Sequence, residues 1–184
     1  MGSPPALVLG EALLERERAA QFLVLRALKL LRAHASALGR GNPSEVAVLV
    51  SAWLKAFNPT WQPQGVTTTA LNSIFPRMQA ALPRSPDPDV PMLALEASAT
   101  LDGRQATVGF SALAWANRAA LLALGDPSTA LDAIATAAGL EGGAPTDARE
   151  RAAWISRTPE ARDLVAFGVT DAFAQVCARL GPGG

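Results

Sequence analysis

At 184 residues, 49% of them hydrophobic and 17% charged, the chain has the makeup of a folded domain and not of a disordered segment. Sixteen basic residues balance sixteen acidic ones, so no net field would draw it to nucleic acid or to an anionic membrane. One cysteine, Cys177, excludes an intrachain disulfide and a thiolate metal cluster. One histidine, His34, leaves little for a histidine-built metal site or a catalytic triad.

The amino terminus lacks the basic segment, apolar stretch and cleavage pattern of a signal peptide. No apolar run continues unbroken for the ~18–20 residues that cross a bilayer. The expected compartment is the cytoplasm. Met1–Ser3 and Gly181–Gly184 read as disordered ends.

The first helix is expected from about Glu11 to Leu38. Leu13, Ala20, Val24, Ala27, Leu31 and Leu38 share an arc at 100° per residue, with Arg18, Lys29, Arg32, Ser36 and Arg40 opposite. Phe22 and Leu25 fall on the basic side, so this helix is wrapped on more than one face or offers a contact to a partner. Asn42-Pro43-Ser44-Glu45 then starts a second helix, with Asn42 as cap and Glu45 reaching back. Val46, Leu49, Val50, Trp53, Leu54 and Phe57 form its apolar face, and Asn58-Pro59 ends it. In the loop that follows, Trp61 stands between Pro59 and Pro63. A third helix begins at about Thr68 and carries Pro76 as an expected kink. Residues 83–91 hold four prolines and three charges and read as an extended linker between an amino-terminal part, 1–82, and a carboxy-terminal part, 92–184.

Beyond the linker the period changes to two. Leu95, Ala97, Ala99 and Leu101 alternate with polar residues, Asp102-Gly103 follows, and Ala106, Val108 and Phe110 alternate again. Folding about Asp102-Gly103 pairs both sides in register, which predicts a β-hairpin over about 93–110. A helix over Met92–Ala99 competes, because Met, Leu, Ala and Glu favour it. The hairpin is preferred because helix propensity does not explain the matched register. The remainder reads as helices at Ser111–Leu124, Pro127–Ala138, about Asp147–Arg157 and Pro159–Leu180. Gly125 and Gly139 close two of them, Asp126, Thr146 and Thr158 cap three, and Gly168 marks a break or a close approach. The expected fold is therefore mainly α, a helical bundle or repeat-like array with one inserted hairpin.

Within Ser111–Ala138, Gly125-Asp126 joins two antiparallel helices, and Ala130, Ile134 and Ala137 form a small, large, small series. Leu121 and Leu122 supply bulky residues late in the first helix. These features resemble one tetratricopeptide-type unit, over about 30 of the chain's residues. The chain departs from that pattern at Trp115, one place off, and at Asn117-Arg118, where a Leu-Gly pair is usual. Pro145 also lies later than the family's proline. The resemblance implies protein–protein binding on a helical surface.

Catalytic signatures are sparse. No nucleophile elbow occurs, and the glycine-rich Gly139–Gly143 follows a helix without a phosphate-loop lysine. His34 reads as structural and Cys177 as a small core residue. Trp53, Trp115 and Trp154 read as core. Glu96, Asp163 and Asp171 read as solvated acids, and the arginines at 149, 151, 157 and 162, interleaved with acids, as a solvated face. Trp61, Phe22, Leu25 and Arg118 remain as candidate contact residues. The sequence thus points to a non-enzymatic adaptor or scaffold domain that binds another protein or itself, with no cofactor, metal, nucleic acid or membrane. The alternative is a small helical enzyme or ligand-binding protein with an apolar pocket between helices.

Overall fold

In a computed structural model of the chain, residues 7, 11 and 15–180 are described. The two ends expected to be disordered, Met1–Ser3 and Gly181–Gly184, lie outside them, as does Leu13. The first helix, α1 (Glu17–Arg32), stops earlier than its periodicity suggested. His34 adopts a left-handed φ of 54°. The Ala35 N–H then donates to the Leu30 carbonyl at 2.9 Å and the His34 N–H to Leu31 at 3.0 Å. This is a Schellman closure with a histidine where glycine is usual. No glycine marks the stop, which is why the pattern ran on to Leu38. Ala19, Phe22, Leu23 and Leu30 are its buried residues, while Ala20, Val24, Ala27 and Leu31 are half-buried, so the helix is enclosed on more than one side.

Helix starts follow the local chemistry closely. At α2 (Pro43–Phe57), Asn42 accepts from the Glu45 N–H at 2.9 Å, and the Glu45 carboxylate accepts from the Asn42 N–H at 3.1 Å. Thr67 caps α3 (Thr68–Ala81), which runs through Pro76. After α4 (Asp89–Thr100) and α5 (Thr107–Leu124), Gly125 turns the chain at φ 70°. Asp126 then caps α6 (Pro127–Ala137) by accepting from the N–H groups of Ser128 and Thr129. At the far end of α6 the Leu140 N–H reaches back to Ala135 and Gly139 to Thr136, a second Schellman closure. Asp147, not Thr146, caps α7 (Ala148–Arg157). Thr158 precedes α8 (Pro159–Gly168) without a side-chain cap bond. The helix breaks at Gly168, which has open space where a Cβ would stand, and Thr170 caps α9 (Asp171–Leu180) through the Phe173 N–H.

The expected β-hairpin is not there. Among the described residues the chain has nine helices and no strand, and residues 93–110 form most of α4, a turn and the start of α5. Asp102-Gly103 does turn the chain, with Gly103 at φ 73°, but between two helices. An isolated two-stranded ribbon is marginal in water, whereas Met92, Leu93, Ala94, Leu95, Glu96 and Ala97 all suit a helix. Gly109 fixes the α5 side of this arrangement. A Cβ there would stand 2.8 Å from the Leu38 carbonyl oxygen and 3.1 Å from Val46.

The chain divides into two units, residues 37–111 and residues 1–36 with 112–184. Residues 83–91, expected to separate two parts, lie within the middle unit, and Pro91 belongs to the first turn of α4. In the two-segment unit, Ala19, Phe22 and Leu23 of α1 share a core with Ala120 and Leu121 of α5, Ala130, Ala133 and Ile134 of α6 and Leu164 of α8. A smaller cluster joins Leu131 and Ala135 to Ala144 and Ala161. In the middle unit the buried residues include Val46, Ala47, Ala52 and Leu54 of α2, Leu71 of α3 and Ala94 of α4. By length and composition, α5 is long and apolar enough to cross a membrane. Its Ala114, Ala116, Ala120 and Leu121 are buried, however, and Asn117 and Arg118 bond to Glu160 and Asp163 of α8.

Candidate functional site

Helix α4 packs the wrong way round for its composition. Asp89 and Pro91 occupy its first turn, where an acid suits the helix dipole and a proline's missing donor costs nothing. Asp87 accepts from the Asp89 N–H at 3.0 Å and steadies the entry. The residues turned inward are small: Ala94 and Ser98 are buried, four apart, where α4 meets α2. Ser98 donates to the Leu95 carbonyl at 2.8 Å and accepts from the Asn58 side chain at 3.1 Å. The large apolar residues turn outward. Met92 is 77% exposed, Leu93 59% and Leu95 58%.

Met92, Leu95, Glu96 and Ala99 follow the three-four spacing of one helical face. With Asp89 and Leu93 they border an open depression of about 520 Å³. Each exposed Met or Leu forgoes about 1.5–3 kcal/mol that burial would supply. Single exposed apolar residues are ordinary, but three within four positions form a patch of the kind that marks contact surfaces. Sequence analysis placed Leu95 on the inner face of a hairpin. The competing helical reading over Met92–Ala99 held the signal that finds this face.

The residues expected to make contacts are placed otherwise. Phe22 is fully enclosed, at 0% exposure, and Leu25 packs against the same core. Arg118 holds Asp163 through both carboxylate oxygens, with Nε to Oδ2 at 3.0 Å. Its guanidinium lies 5.3 Å from the centre of the Phe167 ring, which also borders that core. Phe22 and Leu25 thus pack within the unit, whereas the Arg118 side chain, paired with Asp163, stays 43% exposed. Trp61 belongs to the middle unit and is half-buried. Lys55 anchors its loop by donating to the carbonyls of Trp61 at 2.9 Å and Pro59 at 3.1 Å. Trp115, read as core, is instead 45% exposed, with the Lys29 ammonium 4.2 Å from the ring centroid.

Four ion pairs lie elsewhere among the described residues. Beside the Arg118–Asp163 pair, Arg26 meets Glu160 at 3.6 Å and Asn117 donates to the same carboxylate at 3.2 Å. Burial lowers the Arg26 pKa and the Glu160 charge works against that shift. Arg151 pairs with Asp132 at 3.3 Å, and Arg18 with Asp126 at 3.3 Å. The Thr129 hydroxyl, followed by backbone donors and Arg18, holds the Asp126 carboxyl below its usual range. A second open depression, about 340 Å³, is lined by Arg16, Arg18, Glu17, Asp132 and Thr129. Its arginines already face acids or, for Arg16, the Thr136 hydroxyl at 3.2 Å. His34 is exposed beyond the end of α1. Among the described residues no three His, Cys, Asp or Glu side chains converge as a metal would require. Compared with known proteins, the chain matches no family model, no curated protein and no solved structure.

Proposed function

We propose that the chain is a protein-interaction module, an adaptor or scaffold domain, whose contact surface is the outer face of α4. The observation that carries this is the exposure of Met92, Leu93 and Leu95 on a helix that buries Ala94 and Ser98 instead. Methionine side chains adapt to irregular partner surfaces, and exposed contiguous apolar patches mark interaction sites. The tetratricopeptide-like hairpin, now α5 and α6, favours the same class through its resemblance to a protein-binding family. The alternative, an enzyme or ligand-binding protein, needs an enclosed apolar pocket with converging polar groups. Neither depression described above has that form.

The test is comparative capture. Wild-type protein and a Met92→Ser/Leu95→Ser variant, matched for thermal stability, are used as bait against lysate of the source cell, with quantitative mass spectrometry of retained proteins. A partner retained by the wild type and lost with the double variant is expected. Identical retained sets would remove α4 as the contact surface.

A further inference from the structure

We infer that the occupant of the α4 face is a basic amphipathic helix, an inference that rests on the interaction reading above. Asp89 and Glu96 stand seven residues apart, two helical turns, on the face that carries Met92 and Leu95. Both are exposed, and among the described residues neither takes part in an ion pair; most acids of the chain share that, and what distinguishes these two is their place beside the apolar strip. No basic side chain lines the depression. Arg104, near the carboxy-terminal end of α4, is turned back on the Thr100 carbonyl at 2.8 Å. The face is thus an apolar strip flanked by two exposed carboxylates, Asp89 in the first turn of α4 and Glu96 two turns on.

This charge pattern discriminates among occupants. In a twofold pairing of two copies, the same face would meet itself, carboxylates against carboxylates, with no base to offset them. An anionic membrane would be repelled for the same reason. A helix with apolar residues on one side and Lys or Arg two turns apart complements both features, and helix-in-groove recognition reads such spacing directly.

The test uses two synthetic helical peptides of about four turns, identical in their leucine stripe, one with lysines and one with glutamates spaced seven apart. Binding is measured by fluorescence anisotropy against the wild type, Asp89→Lys/Glu96→Lys, and Met92→Ser/Leu95→Ser. Expected is a preference of about tenfold for the lysine peptide, shrinking with salt. The preference should invert with the lysine variant, and both peptides should lose affinity for the serine variant. If the wild type binds both peptides equally and only the serine variant loses them, the basic-partner inference fails while α4 stands as a docking face. If the serine variant binds as well as the wild type, both readings fail. A dimer of the wild type in sedimentation, lost with the serine variant, would make a second copy the occupant and overturn the inference.

Discussion

The two units differ in where their ion pairs lie and in how closely their exposed apolar residues cluster. In the two-segment unit, Phe22, Leu121 and Leu164 go inside, and the four ion pairs found among the described residues all lie there. In the middle unit, α4 buries Ala94 and Ser98 and keeps Met92, Leu93 and Leu95 outside, and Asp89 and Glu96 form no ion pair among the described residues. The two-segment unit also exposes Leu28, Trp115, Val165 and Val169, but among the described residues only α4 exposes three large apolar side chains within four positions. That clustering, more than any motif, is the ground on which α4 is proposed as the contact face.

The largest expected effect lies in the two-segment unit. Phe22→Ala removes a fully enclosed ring and should cost about 3–5 kcal/mol, a fall of roughly 6–20 °C in Tm for a chain of this size. Differential scanning calorimetry would show it. A change under a few degrees would mean that Phe22 is not core and would blur the contrast between the units.

Two helical glycines sharpen the contrast next. In the middle unit, Gly109→Ala drives a Cβ to 2.8 Å from the Leu38 carbonyl oxygen, and overpacking of that kind costs about 1–3 kcal/mol. In the other unit, Gly168→Ala meets nothing within 4 Å and should stabilise by up to about 1 kcal/mol through helix propensity. Opposite signs in chemical denaturation are expected. Stabilisation by both would show that the Gly109 approach to residues 38 and 46 is loose.

Removing the cap by Asp126→Ala should cost about 1 kcal/mol. Its carboxyl is held below the usual range, chiefly by the Thr129 hydroxyl. A lowered native pKa means the stabilisation is complete above the ordinary aspartate range and is lost as pH falls through the native value. Wild type and variant should therefore differ in Tm at neutral pH and converge in strong acid. A difference that grows on acidification would contradict the cap geometry.

Most helix boundaries were legible because capping chemistry is local. Asn42-Pro43-Ser44-Glu45, Gly125-Asp126-Pro127 and the glycine closure at Gly139 each specify backbone conformation within a few residues. The end of α1 was not legible, because His34 supplies a left-handed turn without glycine. The α4 region misled for a different reason. Leu95, Ala97, Ala99 and Leu101 alternate as a strand would, and any reading that sends leucine inward prefers the hairpin. The helix inverts that rule by packing its small residues on α2, and only tertiary contact decides which side faces in. The exposed apolar face of α4 was missed on the same ground. Phe22 and Leu25 stood out as misplaced apolar residues, yet α1 is wrapped on several sides and absorbs them.

The most direct measurement is the melting temperature of Met92→Ser/Leu95→Ser beside that of the wild type. If α4 presents these side chains to solvent, each substitution lies within about 0.5 kcal/mol of neutral, and the two midpoints should agree within roughly 2–4 °C. A loss of 10 °C or more, on the order of 3–5 kcal/mol, would place Met92 and Leu95 in a core and contradict the assignment of α4 as the contact face.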